Sequence, residues 1–181
     1  MSKLQLNMNK NIIISCLVIF VTSLIIISFQ KETVDNLNMT TINGESITSK
    51  DLLGKVVLIN FWATDCSGCI AEMPDLINTF NKYKNQNFEL IAVSMFYDPP
   101  SRVLSFSKNN NLPFPVVLDL DKKIASQFDE VTLTPTSFLI NHEGKIINRI
   151  TGVINFNEFN TLLEKKTKQK QNYSKRDITT A

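Results

Sequence analysis

Twenty consecutive residues near the start, 11–30 (NIIISCLVIFVTSLIIISFQ), carry no charged side chain. As a helix rising about 1.5 Å per residue they reach about 30 Å, one hydrocarbon core. Residues 1–10 read as a short cytoplasmic N-terminus, 11–30 as a transmembrane signal anchor and 31–36 as a polar linker. The run is longer than the apolar core of a cleaved signal peptide, and no Ala-x-Ala follows it. Ile13-Ile14-Ser15-Cys16 resembles a lipoprotein box only superficially, because the stronger apolar stretch comes after it. Cys16 then reads as a small apolar residue within the span.

After the linker the pattern becomes that of a folded domain. Residues 37–47, with Asn43-Gly44 at their centre, read as a β-hairpin. A helical turn from Ser49 to Leu53 ends at Gly54. Residues 55–62 (KVVLINFW) are almost continuously apolar, as in a strand covered on both faces. Ile70, Met73, Leu76, Ile77 and Phe80 recur at helical spacing and predict a helix from Ser67 to Tyr83, kinked at Pro74. Further strands are predicted at 88–95, 114–118, 136–140 and 145–150. Helices are predicted at 100–109, 122–128 and 155–166. A β-α-β start and a β-β-α finish around one sheet predict an α/β, thioredoxin-like fold over residues 37–166, with a mixed sheet flanked by helices. Residues 167–181 read as a basic, disordered tail.

Charge adds little beyond this. The net charge is +2, and residues 165–181 hold six basic residues against one acid, so the central domain is mildly acidic. Nothing there predicts nucleic-acid binding. Lys3 and Lys10 before the apolar run favour a cytoplasmic N-terminus, which places the domain on the extracytoplasmic side of the cell membrane. Disulfides persist in such a compartment.

The candidate chemistry lies where the buried strand meets the helix, at Cys66-Ser67-Gly68-Cys69. An ordinary thiol with a pKa of about 8.5 is only about 3% ionised at pH 7. Unpaired N–H groups at a helix N-terminus favour the anion, so Cys66 is the expected nucleophile. Cys69, one turn on, is the expected resolving thiol. The same spacing is half a zinc site, but zinc takes about four ligands. After the anchor the chain offers two cysteines and one histidine, His142 in a remote turn. No metal and no cofactor are expected. A static bridge closing so small a loop adds little stability. The second element is Thr134-Pro135, ahead of an apolar strand. A cis-proline there lies against the cysteines and leaves the Thr134 backbone open to a substrate strand.

The stretch from Phe61 to Pro74 (FWATDCSGCIAEMP) resembles the active-site region of TlpA/ResA-type membrane-anchored thiol–disulfide oxidoreductases. Phe114-Pro-Val-Val-Leu-Asp119, the block from Leu133 to Lys145, and Gly152 resemble the same family. The length between Cys66 and Pro135 leaves room for one α-β insertion, also as in this family. The resemblance implies a protein-disulfide reductase outside the cytoplasm. Its clients would be protein disulfides such as those of apocytochrome c, and its electron donor an integral-membrane thiol reductant. It carries over Cys66 and Cys69 as the redox pair and Pro135 as the cis-proline. Glu72 matches an acidic residue near the buried thiol, placed to take the Cys69 proton. Trp62, Thr134 and Pro135 are the expected substrate contacts.

Two positions depart from the pattern. Asn60 stands where minimal thioredoxins have a buried Asp, which closes that proton route and shifts weight to Glu72. Asp65 stands where the family usually has Trp, and a carboxylate beside Cys66 disfavours the thiolate. Other functions fit less well. A disulfide-donating oxidase of the same fold would show a very high potential. A copper chaperone would want Cys-x-x-x-Cys and a partner histidine. A peroxiredoxin-type peroxidase would want Pro-x-x-x-Thr-x-x-Cys, and Thr64 is only two residues before Cys66.

Overall fold

The structure is a computed structural model that describes residues 15–23, 33–34 and 36–179, with side-chain surroundings as far as Thr167. The chain divides into two units, Met1–Glu32 and Thr33–Ala181. In the first, residues 15–23 are helical. Among the described residues no helix is long and apolar enough to cross a membrane. The remainder of the 11–30 run lies outside the described residues.

In the second unit, strands β1 (Asn38–Thr40) and β2 (Ser46–Thr48) form the expected hairpin as a two-stranded sheet of their own. Gly44 takes a φ of +84° in its turn, a conformation open to residues without a Cβ. A short helix α1 (Ser49–Leu52) follows, closed by a capping box between Thr48 and Asp51. The main sheet has five strands: β3 (Val56–Trp62), β4 (Phe88–Ser94), β5 (Val116–Leu118), β6 (Thr136–Ile140) and β7 (Ile146–Thr151). Their order is β5-β4-β3-β6-β7, with β3, β4 and β5 parallel and β6 and β7 antiparallel. Helices α2 (Ser67–Tyr83), α3 (Pro100–Asn109), α4 (Lys123–Gln127) and α5 (Phe156–Thr179) complete the unit. This is the thioredoxin-like arrangement. The insertion expected between Cys66 and Pro135 is present as α3 and β5, and Thr41 and Ile42 cover the outer edge of β5.

Every residue of β3 is buried, which accounts for its unbroken apolar run. Alternate side chains serve two cores. Val56, Leu58 and Trp62 pack with α2, α3 and α5, while Val57, Ile59 and Phe61 pack with Phe128, Phe138 and the hairpin. Asn60 shares the face of Leu58 and Trp62, and so points at α2. The helix α2 runs unbroken through Pro74, which lies on its exposed side.

The tail departs from expectation. Helix α5 continues to Thr179 rather than ending near Lys166. Its basic extension is rich in Lys and Gln and contains neither Gly nor Pro before Thr179, so no residue there stops a helix already nucleated on the core.

Candidate active site

Strand β3 ends at Trp62, and a short turn through Asp65 delivers Cys66 to the start of α2. Cys66 is the N-cap residue with an extended backbone, and its Sγ accepts the Cys69 N–H at 3.2 Å. A sulfur in the capping position receives a helix N–H donor that a serine or aspartate oxygen otherwise takes. The same donor stabilises negative charge on Sγ when the pair is reduced. In this structure Cys66 and Cys69 are joined as a disulfide, with Cα atoms 5.3 Å apart. Cys66 is partly exposed, and Cys69 is fully buried. An incoming disulfide therefore reaches Cys66 first.

Glu72 lies one helical turn beyond Cys69 and is only 1% exposed. Asn60 donates its Nδ2 to Glu72 Oε1 at 2.9 Å and to Ser137 Oγ at 2.9 Å, and the Ile154 N–H donates to Glu72 Oε2 at 3.1 Å. Burial pushes the Glu72 carboxyl above its ordinary value, against the pull of the Ile154 and Asn60 donors. The Asn60 Oδ1 and the Trp62 Nε1 are buried without a hydrogen-bond partner among the described residues. A buried unpaired polar atom costs about 1–3 kcal/mol. An apolar side chain at position 60 would remove the orphaned Oδ1 but leave the buried Glu72 Oε1 and Ser137 Oγ without their Asn60 donor.

The peptide bond between Thr134 and Pro135 is cis, as expected. Pro135 and Val153 lie over the cysteine turn: a Cβ added to Gly68 would meet Val153 Cγ2 at 3.2 Å and Pro135 Cδ at 3.6 Å. Among the described residues, the Thr134 N–H and C=O have no backbone partner. Its hydroxyl lies 3.4 Å from that of Tyr97. Tyr97, Leu133 and Val153 are all exposed around this opening. A cavity of about 730 Å³ lies at the other end of the sheet around Leu37, Leu53, Ile140 and Gly144. Cys66 is partly exposed among the exposed side chains of Tyr97, Leu133 and Val153.

Over this site the sequence pattern of one family matches residues 31–149. The chain belongs to the AhpC/TSA family. Within it, the chain is similar to the thiol-disulfide oxidoreductase ResA of Bacillus subtilis, 40% identical over 112 residues, which are 62% of this chain and 62% of that one. The chain thus matches less than two thirds of that relative's length. Among solved structures it resembles StoA of Bacillus subtilis, with 27% identity, a TM-score of 0.60, and coverage of 68% of this chain and 92% of that one. It also resembles a Neisseria meningitidis protein described as a thioredoxin, with 35% identity, a TM-score of 0.70, and coverage of 75% and 90%. The ResA resemblance read from the motifs and the likeness of the folds agree.

This AhpC/TSA-family chain brings Cys66, Cys69, Glu72, Thr134 and Pro135 to one end of its sheet, but Trp62 does not join them at the surface. Trp62 is fully buried against Phe106 of α3, with ring centroids 5.2 Å apart. The expected substrate contact at Trp62 is therefore corrected to a packing role. The cause is the pleat: Trp62 shares the α2-facing side of β3 with Leu58, and α3 closes over it. Three features of the site escaped the sequence reading. The Ile154 N–H that binds Glu72 carries no side-chain signature. Val153 carries no local signal in the sequence. Asp98 carries no local signal in the sequence, yet its carboxylate binds Thr64 from the neighbouring loop.

Proposed function

We propose that the chain is a membrane-anchored protein-disulfide reductase working on the extracytoplasmic side, with client disulfides such as those of apocytochrome c. The observation that carries this reading is the pairing of a sulfur at a helix N-cap with a buried thiol position one turn from a buried carboxylate. In the reduced protein, the Cys66 thiolate attacks one sulfur of a client disulfide. A bond forms between Cys66 and that sulfur, and the other client sulfur leaves as a thiolate that takes a proton. Cys69 then gives its proton to the Glu72 carboxylate and attacks Cys66 Sγ. The second client sulfur leaves with the electron pair, the client is reduced by two electrons, and Cys66 and Cys69 become the disulfide seen here. An integral-membrane dithiol reductant would restore the pair by the same exchange in reverse.

The Thr134 peptide and the apolar side chains of Tyr97, Leu133 and Val153 offer an extended client strand one backbone edge and an apolar border. The uncharged run at 11–30 supports anchoring, and Lys3 and Lys10 support a cytoplasmic N-terminus. The reduction potential of the purified protein tests the direction of flow. A value near thioredoxin's, about −270 mV, is expected; one near about −120 mV would make it a disulfide donor instead. Loss of cytochrome c from cells carrying Cys66→Ala would support the client class, and unchanged cytochrome c would redirect it to other envelope proteins.

A further inference from the structure

Asp98 follows the β4 strand and is 2% exposed. Its Oδ2 accepts the Thr64 N–H and its Oδ1 accepts the Thr64 hydroxyl, both at 2.6 Å. No ion pair among the described residues includes it. A carboxylate buried without a cation is costly, and two short charge-assisted bonds are what offset it here. Thr64 stands two residues before Cys66. The turn is tied again by the Cys66 N–H to the Ala63 carbonyl at 3.2 Å. Parallel pairing of β3 with β4 sets Trp62 beside Ser94, so the loops leaving the two strands lie side by side. The Met95 N–H joins the Trp62 carbonyl at 3.0 Å, and the Asp98 N–H joins the Met95 carbonyl at 3.0 Å. One residue earlier, Tyr97 reaches Thr134 on the other wall of the site.

We propose that Asp98 is a positioning residue for the redox pair: acting through Thr64, it holds Cys66 over the α2 N-terminus and raises its effective concentration toward Cys69. The proposal rests on Cys66 and Cys69 being an exchanging dithiol pair, and it holds for a reductant and an oxidant alike. Holding two reacting groups in place favours their bond over the open state. Freeing the turn therefore weakens the intramolecular disulfide against two separate thiols. The balanced reaction is protein dithiol plus oxidised glutathione giving protein disulfide plus two reduced glutathiones.

The test equilibrates the full chain in detergent with glutathione buffers at pH 7, counts free thiols by alkylation and mass, and records Tm beside it. Asp98→Ala is expected to lower the equilibrium constant for disulfide formation about ten-fold, the size of about one charge-assisted hydrogen bond. For this two-electron couple that is about 30 mV toward a more oxidising potential. Thr64→Val is expected to lower it about three-fold, and the double variant to match Asp98→Ala alone, because the hydroxyl acts only through Asp98. Asp98→Asn, which keeps an acceptor oxygen, is expected to fall between wild type and Asp98→Ala. Unchanged constants with a lowered Tm would overturn the proposal and leave Asp98 a purely structural residue. Effects that multiply in the double variant would overturn it as well. Should Asp98→Ala fail to fold, an unchanged constant in Thr64→Val would be decisive against it. Wild-type protein that does not equilibrate with glutathione would overturn the exchange reading itself, a result distinct from variants that match an active wild type.

Discussion

Two carboxylates, one buried and one exposed, flank the cysteine pair along the chain. Glu72 is buried with donors on both oxygens, and burial raises its pKa above the ordinary carboxylate value. Its folded-state pKa lies above the unfolded one, so the folded protein binds the extra proton in that window. Stability is then fully present below the unfolded value and declines as pH rises toward the folded one. Glu72→Gln has no such titration. The Tm of Glu72→Gln relative to wild type is expected to rise as the pH climbs above the ordinary carboxylate range in thermal melts; a flat difference would show that Glu72 is not perturbed. The same substitution removes the carboxylate that the proposed cycle uses as the base for Cys69. Resolution of the mixed disulfide in stopped-flow is expected to slow by about 100-fold, the lower range for a lost general base, with the first attack by Cys66 nearly unchanged. Asp65 is exposed beside Cys66. Replacing it with Asn removes a like charge from the thiolate and is expected to lower the Cys66 pKa, followed by thiolate absorbance. A rise would mean that Asp65 acts by some route other than charge.

At the scale of elements, two glycines around the site answer the same substitution in opposite ways. Gly68 lies in the first turn of α2 with an ordinary helical backbone, and a Cβ there meets only Val153 Cγ2 tightly, at 3.2 Å. Val153 is 55% exposed and has room to move. Gly68→Ala is therefore expected to stabilise the fold by about 0.5 kcal/mol through helix propensity. Gly152 has open space around its Cα but a φ of +92°. Gly152→Ala is expected to destabilise by about 1 kcal/mol, because the strain lies in the backbone. Denaturant melts of the two variants check both signs. The elements themselves were largely legible: the 3–4 spacing of Ile70, Met73, Leu76 and Phe80 predicts α2 with the ends observed, because burial on one face enforces the period. The end of α5 was not legible, since a solvated basic helix and a solvated basic coil share one composition.

The whole molecule places its two apolar cores on opposite faces of one sheet, and both are assembled from residues after Thr33. A chain lacking residues 1–32 is accordingly expected to keep the Tm and the glutathione exchange rate of the full chain; a marked loss in either would show that the domain depends on its leading segment. The cysteine pair sits where β3 gives way to α2, at one end of the sheet, while a cavity of about 730 Å³ lies at the other. The amino-acid sequence by itself determined the fold class, the cysteine pair, the proline and the order of the elements. These follow from local spacing: the period of a helix, the continuous run of a buried strand, four residues that must lie on one helical turn. Only the tertiary structure decided that Trp62 is core, that Glu72 is held by Asn60 and the Ile154 N–H, and that Asp98 grips Thr64. Those partners stand 12, 82 and 34 residues apart. Their meeting depends on how strands pair across the sheet and which face each side chain takes, and that information lies in the packed chain rather than in any local pattern.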